Sequence, residues 1–161
     1  VKYLLLPLFL LFTAVSVAAQ GANVAFGTIR QDTGLPVEIT ADDLSVDQTT
    51  DTAIFSGNVL IGQGEMRLTA ARVLVVYRAE SEGIARLEAT GGVTLVSGPD
   101  AAESDRADYN IDTGTIVMSG NVLLVQGRNA LSSDKMSVNL SDGTAQMTGR
   151  VKTVLQTGTN N

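Results

Sequence analysis

The sequence predicts an all-β fold of repeated antiparallel hairpins stacked along one axis, with two sheets facing each other. Three observations predict it. Two interlocked short motifs recur with a 29-residue period over most of the chain. Around each motif, apolar and polar residues alternate with period 2, the mark of strands with one buried face. After residue 20 no stretch carries the 3.6-residue period of an amphipathic helix.

The first element is not part of that fold. Lys2 is followed by an apolar run from Tyr3 to Ala19, which ends in Val17-Ala18-Ala19 before Gln20. A positive charge, a short apolar stretch and a small-x-small site form the layout of a secretory signal peptide. A membrane anchor would want about 20 apolar residues, and this run is shorter and contains Pro7. Residues 1–19 therefore read as a signal peptide cleaved after Ala19, residues 20–36 as a lead-in, 37–155 as the repeat domain and 156–161 as a C-terminal tail.

The first motif is (Ser/Thr)-Gly-x-Val: Ser56-Gly57-Asn58-Val59, Thr90-Gly91-Gly92-Val93, Ser119-Gly120-Asn121-Val122 and Thr148-Gly149-Arg150-Val151. Its glycines are spaced 34, 29 and 29. The second motif starts at Thr40 (Thr-Ala-Asp-Asp-Leu), Thr69 (Thr-Ala-Ala-Arg-Val), Glu103 (Glu-Ser-Asp-Arg-Ala) and Ser132 (Ser-Ser-Asp-Lys-Met), spaced 29, 34 and 29. From each glycine to the next second motif is always 12 residues. The irregularity is thus one five-residue insertion between Thr69 and Gly91, and the polar stretch 78–83 is its expected place.

Around the glycines, Phe55, Gly57, Val59 and Ile61 share one parity, as do Ala89 to Leu95, Met118 to Leu124 and Met147 to Val151 in the later units. At the second motif the parity flips: Leu68 and Ala70 differ in phase from Val73, Val75 and Tyr77. An odd step in every unit predicts a bulge or corner at the Ala/Ser-Asp position, where the chain passes between sheets. Turn signals follow at 47–51, 112–114 and 141–143.

Composition narrows the chemistry. The chain has no Cys, His or Trp, so it has no thiolate, no imidazole and no Cys- or His-based metal site. A net charge of −6 disfavours a nucleic-acid partner. Ser132-Ser133-Asp134-Lys135 matches the Ser-x-x-Lys spacing of serine acylases, but that motif needs a helix, and the segment aligns with Ser104-Asp105-Arg106 as a repeat corner. The acidic group Asp42, Asp43, Asp47 and Asp51 lacks a calcium-loop pattern and reads as a solvated turn. The reading is of a non-enzyme with no cofactor and no metal.

The segment Ile39-Thr40-Ala41-Asp42-Asp43-Leu44 and the two Ser-Gly-Asn-Val-Leu copies (56–60 and 119–123) resemble the OstA-like domain family. The resemblance covers about Val37 to Leu155, and the units at Thr69 and Glu103 depart from the full Ala-Asp-Asp pattern. It implies an open, slightly twisted β-jellyroll. It further implies a periplasmic bridge protein that shields lipopolysaccharide acyl chains between an inner-membrane export complex and an outer-membrane translocon. The anchored inner-membrane relative and a non-lipid structural repeat protein are the alternatives.

By periodicity the inward residues are Ile39, Leu44, Val46, Phe55, Val59, Ile61, Leu68, Val73, Val75, Val93, Leu95, Met118, Val122, Leu124, Met136, Val138, Met147 and Val151. Periodicity alone makes them a dry sandwich core; the resemblance makes them the lining for the lipid A chains. The chain has no nucleotide-binding loop, so any drive must come from a partner. Terminal strands of an open jellyroll expose unpaired backbone groups. The expected docking edges are Val37, Ile39 and Ala41 at the start and Val151, Thr153 and Leu155 at the end. They would meet inner- and outer-membrane components or a second copy head to tail.

Overall fold

The computed structural model describes residues 21–25, 32–79 and 83–156. The expected signal peptide and its cleavage site lie outside the described residues, as do residues 80–82 of the expected insertion and all but Gln156 of the expected tail. The described strands are β1 Ala22–Ala25, β2 Glu38–Thr40, β3 Asp43–Asp47, β4 Thr52–Gln63, β5 Met66–Tyr77, β6 Ile84–Ser97, β7 Asp100–Asn110, β8 Thr115–Gln126, β9 Asn129–Asn139, β10 Thr144–Thr148 and β11 Lys152–Val154. They form one antiparallel sheet in the order β1-β10-β9-β8-β7-β6-β5-β4-β2, with β3 also on β4 and β11 also on β9.

Each long strand is bent in its middle, and the motifs explain the bend. Between β4 and β5 the register jumps from Ser56↔Arg72 to Val59↔Ala70, so Gly57 and Asn58 oppose the single residue Ala71. The same jump recurs at Thr90/Val93, Glu103/Arg106 and Ser119/Val122. Gly57-Asn58, Gly91-Gly92, Gly120-Asn121 and Gly149-Arg150 all have positive φ at both residues. Two consecutive left-handed residues form a bulge that turns the strand sharply. The acidic residue of the second motif braces it: Asn58 donates to Asp42 (2.8 Å), Asn121 to Asp105 (2.9 Å) and Arg150 to Asp134 (2.6 Å). Gly120 has no substitute here, because an added Cβ would lie 2.4 Å from Asp105 Oδ2 at a φ of +80°.

The bulges line up across the strands and fold the sheet onto itself. The two facing sheets expected from the sequence are the two halves of one continuous sheet, because the strands run through the corner and resume pairing beyond it. Layer one holds β3, β10, β1 and the halves of β4–β9 that contain 52–56, 72–77, 84–90, 106–110, 115–119 and 135–139. Layer two holds β2, β11 and the other halves. Along the corner, acidic-type strands (Asp42, Ala71, Asp105, Asp134) alternate strictly with glycine-type strands, from Asp42 at one end to Gly149-Arg150 at the other.

The insertion falls in a layer-one hairpin. The pairs Asp47↔Thr52, Asn110↔Thr115 and Asn139↔Thr144 each enclose four residues. The equivalent pair Val76↔Arg86 encloses nine, residues 77–85. Removing residues 79–83 should therefore shift the unfolding free energy by no more than about 1 kcal/mol in a urea titration. Loss of a cooperative transition would mean that these five residues hold the hairpin together.

One expected boundary changes. Residues 22–25, read as lead-in, form β1, which pairs with β10 at the end of the sheet opposite β2. A four-residue run (Ala-Asn-Val-Ala) carries too little alternation to announce a strand; its partner is 120 residues away in sequence.

Candidate functional site

The interior between the layers is built from cross-strand rows, because directly paired residues share a face. In layer one, Leu44, Phe55, Val73, Ala89, Ala107, Met118, Met136, Met147 and Ala22 follow one another across nine strands. In layer two the row is Ile39, Ile61, Leu68, Leu95, Ala102, Leu124 and Leu131, and it ends on Thr153. Until Thr153 both rows are apolar throughout.

Of the residues the alternation placed inward, Val59, Ile61, Leu68, Val73, Val75, Val93, Leu95, Met118, Val122, Leu124, Met136, Val138 and Met147 are buried in one cluster. Ile39 and Phe55 are half-buried against it. Leu44 and Val46 are 57% and 60% exposed, yet they pair with Phe55 and Ala53 and so face inward; they sit at the end of the sheet, where no described strand covers them. Val151 does not complete the row of Val59, Val93 and Val122. It is exposed and falls in the gap between β10 and β11, where the bulge at Gly149-Arg150 ends the glycine strand without resuming at once.

Met66, Leu87, Ile116 and Leu131 are equally buried and were missed, although each has the parity of its inward neighbours. Gln63 and Tyr109 were missed for a different reason: they are polar on the inward face. The Tyr109 hydroxyl donates to Gln63 Oε1 at 2.6 Å, from layer one to layer two. Gln63 Nε2 donates in turn to the carbonyls of Thr33 and Leu35. This chain of bonds ties the two layers and the 32–35 segment together, and gives both the Tyr109 and the Gln63 side chain a partner.

Burial pushes the Tyr109 phenol up to about 12, with the Gln63 bond acting weakly against it. A pKa raised in the folded state means that Tyr109 supports stability fully below its ordinary value near 10. That support is lost as pH rises through about 12. Alkaline unfolding should therefore be steeper for the parent protein than for Tyr109→Phe between pH 10 and 12, by on the order of 2–3 kcal/mol. Parallel pH profiles would separate Tyr109 from the alkaline transition.

Among the described residues, each end of the sheet has one edge strand per layer with no further strand paired to it. At the first end these are β2 and β3; at the other they are β11 in layer two and β1 in layer one. Ile39 and Thr153 lie in edge strands, whereas Val37, Ala41, Val151 and Leu155 flank them. The sequence reading missed β3 and β1 as edges.

Three comparisons bear on this arrangement. The family model described as "LptA/(LptD N-terminal domain) LPS transport protein" matches residues 38–154. The chain is 31% identical over 130 residues to an uncharacterised protein of Rhizobium meliloti (strain 1021), a match covering 69% of this chain and 70% of that one. Its fold is similar to that of LptH, the LptA-homologous periplasmic component of the lipopolysaccharide transport device of Pseudomonas aeruginosa. The TM-score is 0.70 at 16% identity, covering 79% of this chain and 99% of LptH.

Proposed function

The chain belongs to the LptA/(LptD N-terminal domain) family of lipopolysaccharide transport proteins, a family of transporters and not of enzymes, and on that premise we propose what this member carries and how. It is a periplasmic bridge that shelters lipid A acyl chains between its two layers. It passes lipopolysaccharide from an inner-membrane export complex toward an outer-membrane translocon, with its terminal strands as docking edges.

The observation that carries this reading is the pair of inward apolar rows, which cross every described strand of their layers except β11, where the layer-two row ends on Thr153. Each methylene kept out of water is worth about 0.8 kcal/mol, so a multi-acylated lipid needs an uninterrupted apolar path across an aqueous compartment. When acyl chains enter, the layers exchange contacts with each other for contacts with lipid. That swap is apolar for apolar and carries little net solvation cost. Four methionines, all fully buried (Met66, Met118, Met136 and Met147), suit such a re-packable lining. The Tyr109–Gln63 bond spans the layers and must break or stretch for the interior to widen.

The test is acyl-chain dependence. Purified protein passed through gel filtration with lipopolysaccharide should retain it, and should fail to retain the same molecule stripped of its acyl chains. Equal retention of both would assign binding to the sugar and overturn the reading.

A further inference from the structure

The two ends of the sheet differ in how free they are. At the first end β2 and β3 form one continuous edge through the Asp42 corner, and no described strand lies beyond it. At the other end β10 and β11 form the matching edge through Gly149-Arg150, but its layer-one half is covered by β1. We infer that β1 is a displaceable cap on the β10 edge, and that the strand whose place it holds is β3 of a second copy of this chain. This rests on the reading of the ends as docking edges and adds the gate that controls one of them.

Strand direction makes the case. Every pairing in the sheet is antiparallel. In layer two, β2 runs toward the corner and β11 away from it, so β2 of an incoming copy meets β11 antiparallel. In layer one, β3 and β1 both run away from the corner. With β1 in place the incoming β3 would have to pair with it in parallel; with β1 gone it pairs with β10 in the antiparallel sense of all other neighbours.

The repeat then continues across the junction. The corner alternates acidic and glycine strands, ends on a glycine strand, and would receive Asp42 of the next copy as its next acidic strand. In that register Leu44 lies two residues past Asp42, as Met136 lies two past Asp134, and so falls opposite Met147 where Ala22 now sits. Val46 takes the place of Val24 opposite Ala145. Two side chains that are more than half exposed become covered, and the incoming strand offers a Leu and a Val where β1 offers an Ala and a Val. Charge agrees: the incoming edge carries Asp42 and Asp43, and the receiving edge Arg150 and Lys152, all exposed. β1 is a weak occupant, with four residues, half of them exposed, and one further tie from Gln126 to the Ala25 carbonyl.

The chain lacks cysteine, which permits a clean lock. Asn23 and Gln146 are exposed cross-strand partners between β1 and β10. The variant Asn23→Cys/Gln146→Cys should self-associate at least tenfold more weakly than the parent in sedimentation velocity when oxidised, and recover on reduction. Val24→Asp, which loosens β1 while leaving β3 and β10 intact, should associate more tightly than the parent. On association of the parent, amides 22–25 should lose protection from hydrogen exchange while those of β10 keep theirs. An oxidised lock that associates like the reduced form would overturn the cap. Absence of association in every variant would overturn the choice of a second copy as occupant. Neither result touches lipid binding, which is read separately by acyl-chain dependence.

Discussion

Val122→Asp is expected to destabilise the fold severely at neutral pH. Val122 is 1% exposed and lies next to the glycine corner on the inner face of β8, where the cross-strand neighbour on β9 is Ser133. The cluster around it is apolar, so a carboxylate there has no cationic partner and has lost its water. A buried unpaired charge costs roughly 3–5 kcal/mol, a large share of the 5–15 kcal/mol typical of a whole domain. Circular dichroism and urea titration at pH 7 should show the cooperative transition lost or moved far down in denaturant. A midpoint equal to the parent's would place Val122 outside the core.

The second large effect runs the other way, with folding spared and association lost. Leu44 and Val46 face inward but sit at the uncovered end, more than half exposed. The double variant Leu44→Asp/Val46→Asp should unfold within about 1 kcal/mol of the parent, as surface substitutions do. It should nonetheless lose end-to-end pairing by tenfold or more, because docking would bury two carboxylates against Met147 and Ala145. Stability by urea titration and association by sedimentation velocity read the two consequences separately. Unchanged association would remove β3 from the docking edge.

The sequence was legible where local pattern and tertiary position coincide. Alternation alone located Val59, Val93 and Val122, and the parity flip at Thr69-Ala70-Ala71-Arg72 located the corner, because a one-residue step moves every later side chain to the other face. The five-residue surplus after Thr69 was legible because the other three hairpins kept one length. What stayed hidden depends on the neighbour rather than on the residue. Leu44 and Val46 have core parity but lie at an open end. Val151 repeats the motif but falls between β10 and β11, outside either strand, and is exposed there. β1 is defined only by β10, far along the chain, and four small residues hold no record of that pairing. Gln63 and Tyr109 were hidden by polarity, since only the folded structure shows that each supplies the other's hydrogen bond.

The central claim is that acyl chains run between the layers and not along the outside. Phe55 is half-buried on the inner face, and a photoreactive phenylalanine analogue there keeps its shape and its place in the row. Asn121 is exposed on the outside of the corner. With lipopolysaccharide supplied by the energised inner-membrane complex, illumination should capture it from position 55 and not from position 121. Capture from position 121 as strong as from position 55, or none from position 55 while transport proceeds, would contradict the account.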